Sequence, residues 1–376
     1  MKFETLAIHA GRHVDPATGA VREPLHLSTT FERDADGDYR RGYDYTRAGN
    51  PNRASLEHAV TALERGHDAV AFGSGSAATL AVFHLAAPGG RIVCGADCYH
   101  GTARQLREIV PAWGVDVEFV DTTRLEAVAA ALDRKPTRLL WFETPTNPML
   151  QVSDIGRLVQ LARERGALVG CDNTFASPVL QRPLTLGADL VMHSTTKYLG
   201  GHSDVLGGIV VARAPGRELD ALRHYQASGG GVPSPFDCWL VLRSLATLPL
   251  RVRQQAANAL AVAHFLHADR RVERVHYAGL PDHPGHEVAL RQMQGGFGGV
   301  LSMEVPGGKE RALAVAARTA LFTRATSLGG VESLIEHRAS IEGPETLTPP
   351  GLLRLSIGLE HADDLIADLD QALRGG

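Results

Sequence analysis

The sequence predicts an α/β architecture: a mostly parallel sheet with helices on both faces, followed by a smaller α/β C-terminal domain. Three observations carry this expectation. Short apolar runs alternate with amphipathic helical stretches through the middle of the chain, as in parallel strands covered on both faces by crossover helices. At 376 residues the chain is too long for one simple core. The alternation ends near Arg243, and a long helical stretch then leads to a second set of strands.

The elements follow in order. Residues 1–51 are rich in Gly, Pro, Asp and Arg, show little periodicity and read as an extended arm ending in the turn Ala48 to Asn52. RASLEHAVTALERG, from Arg53, reads as an amphipathic helix closed by Gly66. DAVAF and RIVCG read as strands, with GSGSAATLAVFHLA as a turn and helix between them. VDVEFVD, RLLWFE, ALVGCD and ADLVMHS supply four more strands, and DIGRLVQLARERG a helix. These belong to a large domain at 52–243. A C-terminal domain at 244–376 opens with the helical LPLRVRQQAANALAVAHFLHADRRV and has strands at GVLSMEV and LLRLSIG.

Composition narrows the function. A net charge of -4 gives no electrostatic reason for a nucleic-acid or anionic-membrane partner. Cys94, Cys98, Cys171 and Cys238 form no CxxC pair or disulfide framework, which suits a reducing compartment. The first residues lack the apolar core of a secretory signal, and no run approaches the roughly 20 apolar residues of a membrane helix. A cytoplasmic protein acting on a small molecule is the expectation. His9 with His13, and His283 with His286, offer no third ligand, so no metal is expected.

Three local features carry chemistry. Gly73 to Ala78, GSGSAA, lies between a strand and a helix, where backbone N–H groups at a helix start can cradle a phosphate. With Asp97 downstream it also matches a loose dinucleotide fingerprint, so a nicotinamide oxidoreductase stays open on this motif alone. Lys197, in HSTTKYLGG, follows an apolar strand and is flanked by Ser194 and Thr196; it is one of only four lysines, with Lys2, Lys135 and Lys309. A lysine becomes a nucleophile near neutral pH when it is desolvated or beside a cation. Asp172 ends an earlier strand, where it is either a helix cap or a buried carboxylate. A buried carboxylate there would keep a pyridine nitrogen protonated.

Together with Tyr45-Thr46-Arg47, Glu143 to Pro148, Ser327 to Leu334 and Leu352 to Glu360, these motifs resemble the cystathionine γ-synthase and γ-lyase family of Cys/Met-metabolism enzymes, over nearly the whole chain. The resemblance implies an aspartate-aminotransferase-like, fold-type-I architecture and pyridoxal 5'-phosphate (PLP) as cofactor, held as a Schiff base by Lys197. It implies that Gly75, Ser76, Ser194 and Thr196 bind the phosphate, that Tyr99 stacks on the ring and serves as a base, and that Asp172 pairs with the pyridinium. Tyr45 and Arg47 would reach into a neighbouring subunit's phosphate site, making a homo-oligomer, a tetramer built from dimers that share active sites. Arg354, with Ser327 and Asn147, would clamp the α-carboxylate of an amino-acid substrate.

Arg104 and Glu332 resemble the γ-synthase and γ-lyase pattern, placed to meet the distal ammonium and carboxylate of cystathionine. That points first to α,γ-elimination of cystathionine and second to γ-replacement on an O-acylhomoserine. Gly101 stands where methionine γ-lyases carry cysteine, which argues against that activity. The chain departs from the family at Ser76, where Met or Leu is usual. It departs again after Ser333, where LIEHRASIEGPETLTPP replaces a Pro-Ala-Ser-Met-Thr-His run near the substrate end. His100 and His202 are candidates to support the site, and His193 reads as a strand-end packing residue. A catalytically silent relative would have lost the lysine, tyrosine or aspartate, and none is lost.

Overall fold

The computed structural model describes residues 1–343, 346 and 348–374. The larger of its two sheets contains β1 (Asp68–Phe72), β2 (Arg91–Gly95), β3 (Asp116–Val120), β4 (Leu139–Glu143), β5 (Leu168–Asp172), β6 (Leu190–Ser194) and β7 (Gly208–Ala212). They lie in the order β1-β7-β6-β5-β4-β2-β3, and β7 alone runs antiparallel to its neighbours. All six strands expected in this region form. The sequence reading passes over β7, although GIVVA is as apolar and as buried as the others.

The smaller sheet has β8 (Arg274–His276), β9 (Val300–Glu304), β10 (Thr323–Arg324), β11 (Leu334–His337) and β12 (Leu352–Ser356), in the order β10-β11-β12-β9-β8. Its pairs are antiparallel except β10 with β11. Leu301, Met303, Leu353 and Leu355 pack there with Val262, Leu266, Leu365 and Leu369. The helix Leu248–Ala268 spans two cores, because its Leu248 and Val252 pack instead with Leu56, Val60 and Val211. Arg243 falls inside the helix Pro235–Leu245, so position 243 is not a linker.

The arm contains a helix that its composition conceals. α1 (Phe3–His9) buries Ala7 and rests Phe3 and Leu6 on the same core as Leu56. Phe3, Leu6, Ala7 and Ala10 are spaced as one helical face, a short signal submerged in a polar segment. Beyond Ala10 the arm has only turns and a bridge between Thr30 and Tyr45 until α2 (Pro51–Glu64). The Asn50 side chain accepts from the N–H groups of Asn52 and Arg53, and Pro51 stands at the first turn, where it costs no hydrogen bond. The left-handed residue that ends α2 is Arg65, with φ 57°, rather than Gly66. α3 (Gly75–His84) follows β1 and α4 (His100–Glu108) follows β2, each starting where a strand of the large sheet ends.

Candidate active site

A cleft of about 860 Å³, counted to its open mouth, lies beyond the carboxyl ends of β1, β2, β4, β5 and β6. This is the usual ligand position in an open α/β sheet. Its walls include Gly75, Ser76, Tyr99, Asn147, Asp172, Ser194, Thr196, Lys197, Ser327 and Arg354. Ten of the fourteen residues singled out from the sequence are thus brought together in one chain.

At one end stands the start of α3. The Ser74 side chain accepts from the Ala77 N–H, so the amides of Gly75 and Ser76 open the helix toward the cleft. A Cβ on Gly75 would stand 2.9 Å from Ser194 Oγ, so only glycine lets this turn close onto β6. The Ser194 N–H donates to Thr174 Oγ1 at 2.9 Å, and the Thr196 hydroxyl exchanges bonds with the Gly207 backbone. Main-chain amides and hydroxyls on a positive helix end, drawn in tightly enough to exclude a Cβ, fit a phosphate monoester.

Lys197 occupies the middle. Its Nζ donates to Ser327 Oγ at 2.7 Å. Burial, then the nearby Arg354 and Arg338 guanidiniums, lower its amine from 10.5 to about 8, and Glu336 opposes them. Ser327 has φ 90°, a conformation that costs a non-glycine residue energy and is held by its surroundings. Its carbonyl accepts from Arg354 Nη2 at 2.8 Å. Arg354 lies on β12 but points inward. Nη1 donates to Asn147 Oδ1 at 3.0 Å, and Nη2 also donates to Glu336 Oε2 at 2.7 Å. Burial lowers this guanidinium to about 10, so it remains a cation at neutral pH.

Asp172 lies at the end of β5, in register with Glu143 on β4, and both are buried. Burial raises Asp172, and its bond from the Thr174 N–H at 2.9 Å works the other way. Glu143 is pushed well above the carboxylate range by burial and then by the charge of Asp172. Both shifts run upward because two adjacent buried carboxylates cannot both ionise cheaply. Glu143 Oε2 also accepts from the Tyr99 N–H at 2.9 Å. The Tyr99 ring leans over the cleft mouth, and a Cβ at Gly101 would stand 2.4 Å from it.

Four residues lie elsewhere in this chain. Tyr45 and Arg47 are exposed; Arg47 donates to the Ala227 carbonyl at 2.6 Å and sits 5.7 Å from the Tyr45 ring centroid. Arg104 and Glu332, expected against the substrate, stand outside the cleft lining within one chain. Thr102 and Gln105 are the α4 residues that line the cleft, and the helical period turns Arg104 outward to pair with Glu108 at 2.9 Å. Glu332 is half-buried and accepts from the Ser203 hydroxyl outside the lining.

Sequence reasoning gave no role to Glu143, which opens one of the quoted motifs and is carried into the site by an apolar strand, or to Arg338, which lines the cleft from the divergent segment. Of that segment, Pro344, Glu345 and Leu347 lie outside the described residues. His193 is buried and bonded to Glu64 at 2.5 Å, His100 packs on Tyr99, and His202 bonds the Gly200 carbonyl away from the lining. Among the described residues no group of His, Cys, Asp and Glu is set to hold a metal, and no helix is long and apolar enough to cross a membrane.

Comparison with known proteins agrees with this geometry. Cystathionine γ-synthase of Mycobacterium tuberculosis is 49% identical over 376 residues, covering 98% of this chain and 96% of the relative. Cystathionine γ-lyase of Bacillus subtilis is 44% identical, covering 99% of each. The crystal structure of cystathionine γ-synthase from Xanthomonas oryzae pv. oryzae in complex with aminoacrylate and cysteine superposes with a TM-score of 0.95. It is 41% identical and covers 99% of this chain and 98% of that one. The model of the Cys/Met metabolism PLP-dependent enzyme family matches residues 4–374, and the chain belongs to that family.

Proposed function

We propose that this enzyme carries out γ-replacement on an activated homoserine ester, with cysteine as the incoming thiol and cystathionine as the product. The observation that carries the amino-acid part is the bridge through Ser327. Its hydroxyl takes the Lys197 amine at 2.7 Å and its carbonyl takes Arg354 at 2.8 Å. An amine-exchanging group and a carboxylate anchor joined through one residue match the amino and carboxylate groups that share Cα in a substrate. Replacement is favoured over elimination because the mycobacterial γ-synthases stand at 49% identity and the γ-lyases at 43–44%, although the Xanthomonas γ-synthase stands at 41%. Elimination of cystathionine is the second reading; the residues that pointed to it, Arg104 and Glu332, stand outside the cleft lining.

Each residue then has a task. Gly75, Ser76, Ser194 and Thr196 hold the cofactor's phosphate, and Lys197 holds its aldehyde carbon. When bound, PLP supplies an electron sink for the pair left at Cα on proton loss. Asp172 keeps a positive charge on the ring nitrogen, which needs a negative charge on its carboxylate. Arg354 fixes the carboxylate with Asn147 behind it, so the Cα–H is presented in one direction. The Lys197 amine, when free, would take the Cα proton, and Tyr99 would be the second base at the mouth. Tyr45 and Arg47, exposed on the arm, complete a neighbouring copy's phosphate site, and the dimers pair into a tetramer. Steady-state assays with O-succinylhomoserine plus cysteine, with cystathionine and with methionine test the reading; a higher kcat/KM for cystathionine cleavage than for its synthesis would reverse the two.

A further inference from the structure

Arg338 lines the cleft but belongs to none of the motifs above. It is 1% exposed. A guanidinium withdrawn this far from water persists only where acceptors replace its hydration. Nη1 donates to Glu336 Oε2 at 2.8 Å, Nε to Glu342 Oε1 at 3.1 Å, and Nη2 to His100 Nδ1 at 3.1 Å. All three nitrogens are engaged. Arg354 differs: its bonds run from Nη1 and Nη2 only, leaving the Nε edge of a five-donor group for a ligand. Of these two arginines, Arg354 is built to bind a ligand and Arg338 to hold its neighbours.

What it holds is specific. The carboxylate oxygen that Arg338 contacts, Glu336 Oε2, is the one that orients Arg354 at 2.7 Å. On its other side, His100 accepts from Arg338 and packs edge-on against the Tyr99 ring, with centroids 4.6 Å apart. One guanidinium thus ties β11 and β12 to the start of α4 across the cleft. A third arm anchors the short helix Ala339–Glu342, whose Glu342 also accepts from the Thr346 and Thr348 hydroxyls at 2.7 and 2.6 Å.

We propose that Arg338 is a positioning residue for the amino-acid site: through Glu336 and His100 it sets the distance between the Arg354 clamp and the Tyr99 ring. This rests on Arg354 being the carboxylate anchor.

The test is binding of L-2-aminobutyrate, which has no γ-leaving group, to the holoenzyme, read from the cofactor's visible absorbance beside Tm. Arg338→Lys keeps the charge but cannot span three partners, and should raise Kd about tenfold, the order of one lost charge-assisted bond. The absorbance without ligand should not change. Glu342→Gln loosens only the cap arm and should lower Tm while leaving Kd within about twofold. An unchanged Kd in Arg338→Lys, or an equal rise in Glu342→Gln, overturns the proposal. Should Arg338→Lys not fold, Arg338→Met in a Glu342→Gln background removes both cap charges together and carries the same expectation. Arg354→Lys is the control. If it leaves Kd unchanged, the clamp itself is misassigned; if it raises Kd and the Arg338 variants do not, only the present inference fails.

Discussion

The availability of the Lys197 amine can be measured directly in protein stripped of cofactor. Burial is the leading cause that brings this amine from 10.5 to about 8, with Arg354 next. At pH 7 an amine titrating near 8 is free base in about a tenth of molecules, and one at 10.5 in about 0.03%, so Lys197 gains about 300-fold in reactive fraction. Trace acylation across a pH series, followed by digestion and mass spectrometry, reads this out. Lys2, Lys135 and Lys309 are the other lysines in the chain, and the exposed Lys135, paired with Asp116 at 2.9 Å, serves as comparator. The Lys197 curve should have its midpoint near 8, and Arg354→Gln should move it upward by removing a neighbouring cation. The stability consequence has a definite sign. The folded value lies below the unfolded one, so the cost of the buried ammonium is fully present below about 8 and vanishes as pH rises past 10.5. That is a gain of about 3 kcal/mol across this window, and Lys197→Met should abolish it. A midpoint above 10, or a downward shift in Arg354→Gln, would refute the reasoning.

Three further expectations follow from the same geometry. Asp172→Asn should keep PLP bound but lower kcat by about 100-fold or more, whereas Glu143→Gln, replacing an acid already protonated, should stay within about threefold; equal losses would show that the charge sits on the other partner. Arg354→Lys should raise KM about 10- to 100-fold with a smaller change in kcat, because an ammonium cannot hold Asn147, Ser327 and Glu336 and still present a donor to the carboxylate; an unchanged KM in initial-rate assays would remove Arg354 from the substrate site. Arg47→Ala should weaken PLP retention on dialysis without changing the sedimentation coefficient of the oligomer, and an active wild-type monomer would exclude sharing of sites through the arm.

The part of the cleft lined by strand ends was readable in the sequence because each piece is local. GSGSAA, Asp172 and Ser194 to Lys197 each end a strand whose apolar run is visible, and parallel strands bring their carboxyl ends to one edge. The spacing along the chain then carries over to neighbours in space. α1 escaped notice because one apolar face of four residues is a weak signal beside a polar arm. β7 escaped because nothing in GIVVA indicates the antiparallel direction that inserts it between β1 and β6.

The substrate half fails to announce itself for a different reason. Arg354 meets Glu336 because antiparallel register sets β12 opposite β11, eighteen positions back in the chain. Arg338 is then drawn in by the same carboxylate and by His100, 238 positions away. In sequence, EHRASIEG looks like a polar surface loop, where an arginine is normally solvated. In the fold each charge is buried and answered by another from a distant element, so its meaning depends on the register and not on its neighbours. Residues at the strand ends can be recognised one strand at a time. The charges around Arg354 must be read as a network, which is why Arg338 was passed over while Arg104 and Glu332 were chosen singly by position.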